Sequence, residues 1–384
     1  MRFRTTSTFA PITATFAAAL CLCTGTAQAQ PAVAPGLQIY GLVDNVAGSF
    51  AGTISGISAQ SLRSTRLEDG GMSTSHWGLR GNEELGGGLA ALFELSAFFR
   101  SDVGASGRSG ALPAPVNVAA DPLFSRAAWV GLSSPTWGRL RAGTIISQLF
   151  LNTIGSNAFG DSMVFGPLPL LTFTGGILGG GTSWTNSLVY ETPTFAGASA
   201  TVARSLSESQ GGGNSALRLA YAQGPLATSL VWQSVKKDPL TFADGTTPND
   251  TSSWQLAASY DFEVGKLYAH LGHIQNDGTQ AAPQNVGYRL WDISAAVPLG
   301  AGRILAGYAA RTAHDTAAPV PASVAGGNVQ RKILSLGYDH NLSKRTDVYA
   351  MWSHDSTRTR TLPAPFSDVD ASGNSYGVGI RHRF

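Results

Sequence analysis

From Leu37 onward, large apolar residues recur at every second position in runs of roughly ten, and each run is closed by turn residues. The last run shows it most plainly. Tyr376, Val378, Ile380, His382 and Phe384 alternate with Gly377, Gly379, Arg381 and Arg383, which are small or charged. A period of two sends successive side chains to opposite faces of a strand, so one face is apolar and the other can be wet. The pattern predicts sixteen strands, near 38–50, 73–81, 87–100, 124–133, 136–145, 183–192, 196–205, 215–223, 226–236, 252–261, 264–275, 287–298, 301–312, 329–340, 345–356 and 374–384.

The connections between these runs fall into two kinds. Those after even-numbered strands are tight, as at Ser133-Ser-Pro-Thr136, Gly224-Pro225 and His340-Asn-Leu-Ser-Lys344. Those after odd-numbered strands mostly run to about ten to twenty residues or more and are rich in Gly, Ser, Thr, Pro and Asp. A secreted sandwich also has alternating strands, but it has no reason to sort its loops by length. A transmembrane β-barrel does, and its last strand must pair with its first because an open edge cannot lie in lipid. Aromatic residues at strand ends, among them Tyr40, Trp77, Trp129, Tyr190, Trp232, Trp254, Trp291, Trp352 and Tyr376, suit the two interfacial girdles of such a barrel. The alternative is the general preference of aromatics for strands.

Composition sharpens this picture. Charged residues make up 13% of the chain, against a usual share of about 25%, and there are 46 glycines. No stretch beyond the first thirty residues reads as a membrane helix; the longest charge-free run, Ser162 to Tyr190, is broken by Pro167, Pro169 and repeated glycines. Residues 1–29 read as an export signal, with Arg2 and Arg4 at the start, an apolar stretch from Ile12 to Cys23 and an Ala27-Gln28-Ala29 cleavage site. Cleavage there would remove both cysteines, leaving no disulfide framework. It would also take the formal net charge from +2 to zero, since Arg2 and Arg4 leave and no acid precedes residue 30. Nothing in that balance argues for a nucleic-acid partner. Residues 30–384 read as one barrel domain.

Several segments resemble the general Gram-negative outer-membrane porins, particularly the β-proteobacterial kind. They are Leu37-Gln-Ile-Tyr-Gly-Leu-Val-Asp44, Ser75-His-Trp-Gly-Leu-Arg-Gly-Asn-Glu-Glu-Leu-Gly-Gly-Gly-Leu-Ala-Ala-Leu-Phe-Glu-Leu95, Ser125-Arg-Ala-Ala-Trp-Val-Gly-Leu132, Asn186-Ser-Leu-Val-Tyr-Glu-Thr-Pro-Thr-Phe-Ala-Gly197, Leu342-Ser-Lys-Arg-Thr-Asp-Val-Tyr349 and the ending from Tyr376 to Phe384. They occur in order along the chain. The resemblance implies an all-β, 16-stranded antiparallel transmembrane barrel, usually a homotrimer in outer-membrane lipid, passing small hydrophilic solutes and ions through a water-filled pore. It also implies a third loop folded into that pore, matched here by Ile146 to Thr182, and a second loop, about Ser101 to Leu123, that latches onto a neighbouring subunit. No cofactor or metal is implied. A substrate-specific porin of the same fold is the alternative.

Pore chemistry depends on which charges line the narrowest section. Taking the bulky apolar residues as lipid-facing, alternation places His76, Arg80, Arg126, Arg139, Arg141, Arg218, Arg303, Arg311 and Arg381 in the lumen. In this reading Trp129 faces lipid. The bland alternative for each arginine is a solvated charge at a strand end. The resemblance implies acids on the third loop opposite such a ladder, but Asp161 is the only charged residue between Ile146 and Thr182. Thr144, Ser183 and His76 also stand where the family often has arginine. A thinned ladder facing one acid predicts mild, slightly anion-leaning selectivity, with His76 adding charge in acid. Enzyme readings are weak. His270 and His273 lie on opposite faces of a strand, and Ser353-His354-Asp355 is contiguous and cannot form a triad within itself. A Ser-His pair assembled across strands and a structural barrel with a plugged lumen remain as other classes.

Overall fold

A computed structural model describes residues 36–52, 62–107, 122–173, 181–208, 213–236, 250–278, 283–315, 329–361 and 367–384. The export signal and most of the second long loop lie outside the described residues. Among the described residues, eighteen strands are hydrogen-bonded in sequence order, and the last pairs with the first. Two of them, Leu62–Asp69 and His76–Gly86, are halves of one wall strand, and the two-residue strand Ala105–Ser106 lies in a loop. Sixteen antiparallel strands therefore close the barrel, as alternation and loop lengths predicted.

In chain order the wall begins with β1 (Gly36–Gly52), the divided β2, β3 (Leu89–Arg100) and β4 (Ala127–Ser134). It continues through β5 (Gly138–Ile146), β6 (Ser183–Glu191), β7 (Ala198–Ser205) and β8 (Ser215–Gln223). The second half runs through β9 (Leu226–Val235), β10 (Thr251–Asp261), β11 (Lys266–Gly278) and β12 (Pro283–Leu299). It ends with β13 (Gly302–Asp315), β14 (Val329–Asn341), β15 (Thr346–Thr361) and β16 (Ser367–Arg383). Closure is in full register from Leu42 opposite Arg383 to Ser49 opposite Tyr376. The amide and carbonyl of Phe384 exchange hydrogen bonds of 3.1 Å with those of Gly41. No edge is left along this seam, which is what a sheet in hydrocarbon requires.

The outer face carries the apolar half of each alternation. Ile39, Val130, Leu188, Leu230, Trp232, Leu256, Trp291, Leu336, Val378 and Ile380 are all exposed there. A contiguous apolar band of that kind suits acyl chains rather than water. Trp129 departs from the expectation. It sits opposite Glu94 in the sheet and points inward, while Val130 and Leu132 take the outer face. Both alternations of Ala127-Ala-Trp-Val-Gly-Leu132 carry apolar residues, so choosing the bulkiest as lipid-facing inverted this strand.

The second strand starts earlier than the pattern suggested. Leu62–Asp69 forms a hairpin with β1, from Asn45 opposite Asp69 to Gly52 opposite Leu62. Its residues are mostly charged or polar, and only Leu67 gives its outer face apolar character; a strand segment beyond the bilayer needs no apolar face. Between the two halves, Gly70 to Ser75 is buried and leaves the wall. The amides of Met72 and Ser73 donate to the Asp44 carboxylate at 2.8 and 2.7 Å, and the Asp44 amide donates to Ser75 Oγ.

The third loop lies inside the barrel. Ser147 caps α1 (Gln148–Gly155) by accepting from the Phe150 amide, and its hydroxyl donates to the Gly181 carbonyl, tying the two ends of the loop together. α2 (Pro167–Phe173) begins on a proline, which suits a first helical position because the missing N–H would have no helical partner there. The polar side of α1 bonds the wall: Asn152 Nδ2 donates to Gln255 Oε1 at 2.8 Å, Ser229 donates to Asn152 Oδ1 at 2.5 Å, and the Leu149 amide donates to Gln233 Oε1. Beyond it, Phe159 and Phe165 pack with Val46, Phe50, Met72, Leu305, Tyr349 and Met351. Leu168 joins Ile274, Tyr288 and Leu290, and Leu171 joins Ala309 and Ile333. Each such side chain contributes about 1.5–3 kcal/mol on burial. Two wall glycines make the approach possible: a Cβ on Gly307 would lie 2.7 Å from the Phe159 ring, and one on Gly377 3.2 Å from the Phe165 ring. The loop thus covers the wall from β9 round to Val46 and Phe50 of β1 and leaves the arginine-bearing inner face between β2 and β8 open.

Candidate functional site

The open arc is where most of the inward arginines collect. Arg80 stands opposite Gln38 on one side and Glu94 on the other; Glu94 in turn faces Trp129. Arg139 and Arg141 are inward on β5, opposite Glu191 and Val189 of β6, and Arg218 is inward on β8, opposite Thr201. This is the consequence of period-two alternation on four strands whose other faces carry Leu79, Leu140, Leu188 and Leu219. Arg126 precedes β4, where alternation no longer applies. It reaches the same cluster, donating through Nη1 to Glu94 Oε1 at 3.1 Å, with Ser96 Oγ and the Tyr40 hydroxyl both at 3.4 Å. The expectation for Arg126 rested on an outward Trp129, so its inward position has a different cause.

Within the cluster the charges are partly matched and held rigid. The Tyr40 hydroxyl donates to Glu94 Oε1 at 2.5 Å, so this carboxylate serves both Tyr40 and Arg126. Arg80 donates from Nε to Gln38 and lies 4.9 Å over the Tyr40 ring. Arg141 lies 5.3 Å over the Trp129 ring, with Nη2 3.6 Å from Glu191. Glu191 is also close enough to Arg218 to act on it electrostatically. Five arginines therefore face two glutamates. Such stacking orients a guanidinium while leaving its edge for a polar partner. Tyr40, Arg80, Glu94, Arg126, Trp129 and Arg141 line a cavity of about 280 Å³ together with Ile146, at the end of β5, and Leu151 of α1 in the third loop.

His76 lies further toward the long-loop end. Its Nδ1 is 2.9 Å from the Thr74 carbonyl, and Asp161 is near enough to interact with it through charge. The same imidazole is 6.2 Å from the Tyr40 ring and within charge range of Arg126 and Glu94, so His76 adjoins the cluster.

Three arginines expected in the lumen do not belong to this cluster. Arg311 faces inward but is covered by α2, donating to the Leu171 carbonyl at 2.7 Å. It stacks 5.4 Å from the Tyr288 ring. Arg381 is only 5% exposed and bonds Asp347, Asp339 and Ser73 at 3.0, 3.3 and 2.9 Å. Arg303 donates to Asp339 at 2.9 Å from the other side. With Arg383 on Asp347 and Tyr349 on Asp44, these residues form a network beside the barrel seam. All three side chains lie on the inner face; what covers that face is decided by residues far away in sequence. Conversely, Glu94 and Glu191 were missed although outward Phe93, Leu95 and Tyr190 place them inside by the same rule.

A closed sixteen-stranded barrel with an apolar outer band, a loop folded into its lumen and a charged inner arc has the architecture of a diffusion channel. The sequence profile of Gram-negative porins matches residues 14–360. The chain belongs to the Gram-negative porin family. An outer membrane porin protein of Bordetella pertussis is 29% identical over 363 residues, covering 82% of this chain and 84% of its own length. Outer membrane porin protein 32 of Delftia acidovorans is 29% identical over 392 residues, covering 96% and 98%. Among solved structures, an anion-selective porin from Comamonas acidovorans matches with a TM-score of 0.69 at 25% identity, covering 91% of this chain and 99% of that one. The porin resides in the outer membrane and forms a channel through it.

Proposed function

We propose that the porin passes small hydrophilic solutes passively, with no chemical step, and favours anions mildly. The observation that carries this reading is the convergence of Arg80, Arg126, Arg139, Arg141 and Arg218 on one open arc, against Glu94 and Glu191. Charges of one sign along a narrow water-filled section raise the local concentration of the opposite ion. The anion selectivity of the Comamonas acidovorans porin supports the same sign. His76, which adjoins the cluster, and Asp161 are assigned a minor share. Ion current through the purified protein in a planar bilayer, under a potassium chloride gradient, tests the reading. A reversal potential of anion-selective sign is expected; cation selectivity would overturn it.

The channel unit is proposed to be a homotrimer, a reading supported by an outer membrane protein of Vibrio cholerae with the same fold, solved in trimer form. Conductance steps grouped in threes are expected, and a single mass corresponding to three chains in detergent. Residues 1–29 are proposed to be removed on export, so that sequencing the protein from the outer membrane would begin at Gln30.

A further inference from the structure

We propose that the open arc is a weak binding site for small organic carboxylates with an apolar body, aromatic ones above all. This rests on the anion-favouring reading and adds to it the kind of anion. The lining of the cavity joins two chemistries. Arg80 and Arg141 bring guanidinium groups 4.9 and 5.3 Å from the ring centroids of Tyr40 and Trp129, while Leu151 of α1 and Ile146 at the end of β5 bring apolar side chains. α1 turns its polar residues Asn152 and Thr153 to the wall, where they bond Gln255, and leaves half-exposed Leu151 toward the lumen. The loop therefore offers the permeating ion an apolar surface where an acid would have offered only charge.

A planar carboxylate fits this division. Its two oxygens match the forked donors of a guanidinium, and its ring can lie against Trp129, Leu151 and Ile146. Glu94 does not cancel the site, because Oε1 is already shared by the Tyr40 hydroxyl and Arg126. The cavity, about 280 Å³, is at or just below the lower end of the usual ligand range of about 300–1,000 Å³. It has room for one small anion and a few waters. Passage requires that such binding be weak and quickly reversed.

The test is block of potassium chloride current by sodium benzoate, compared with sodium acetate, in single channels of the whole porin. Benzoate is expected to half-block at a concentration roughly tenfold or more below acetate, since the ring adds apolar contact to the same charge. Leu151→Ser should bring the two anions to within about threefold while leaving the chloride reversal potential unchanged; Trp129→Ala should narrow the gap similarly but also move the reversal potential, since it removes the ring against which Arg141 lies. Leu151 is half-exposed on the loop, so its replacement keeps the test open if the Trp129 variant does not fold. Arg141→Gln should weaken both anions and move the reversal potential. Equal block by benzoate and acetate in the unaltered porin would overturn the proposal, as would a preference that survives both apolar substitutions. The reversal potential in chloride alone decides the underlying anion reading, so the two can fail separately.

Discussion

The inner wall has two arcs built from the same alternation and put to different uses. Between β2 and β8 the inward arginines lie open to the lumen, stacked on Tyr40 and Trp129 and paired in part with Glu94 and Glu191. From β9 to β16 most of the inward face is covered by the third loop, with Arg311 bonded beneath it, and Arg381 is buried in the seam network with Asp339, Asp347 and Ser73. An arginine near water can shape the field in a pore; an arginine under a loop satisfies carbonyls and carboxylates that burial would otherwise leave unpaired. The difference lies in what covers the residue, since type and facing are the same.

Removing Arg381 should give the largest effect. Arg381→Met leaves Asp347 and Asp339 buried with their principal partner gone, and a loss of roughly 3–5 kcal/mol is expected from denaturant unfolding in detergent followed by tryptophan fluorescence. Arg303 and Arg383 would retain one contact each with these acids, which favours the lower end of that range. Unaltered unfolding would mean that the seam network is no more structural than the open arc.

Next comes Gly307→Val. The added atoms would meet the Phe159 ring and should cost about 1–3 kcal/mol, loosening the loop from the wall. Single-channel records should become noisier, with the reversal potential unchanged. A quiet record would show that the loop is held well enough without this contact.

On the open arc the expectation is reversed. Arg126→Gln and Arg141→Gln should leave unfolding within about 0.5 kcal/mol of the parent, as is usual where no buried partner is stranded. Each should move the reversal potential toward cations. A strong stability loss with unaltered selectivity would erase the distinction between the arcs. Glu94→Gln should give the smallest change, a slight move toward anions, because Tyr40 and Arg126 can still bond the amide oxygen.

What alternation made legible was extensive. Strand number, closure at Phe384 and the inward face of Arg80, Arg139, Arg141, Arg218, Arg303, Arg311 and Arg381 all follow from a period of two, because pleating fixes side-chain direction locally. The failures are equally local in cause. Trp129 was inverted because both faces of its segment are apolar, and Leu62–Asp69 was missed because a strand outside the bilayer has no apolar face to read.

By itself, then, the sequence determined the barrel, its seam and the sidedness of its strands, since these depend on the order of polar and apolar residues along one strand at a time. Only the tertiary structure decided which arginines meet water. That depends on where the third loop comes to rest, and its position is set by contacts between residues more than a hundred apart, such as Asn152 with Gln255 and Leu171 with Arg311. No periodicity encodes a contact of that kind.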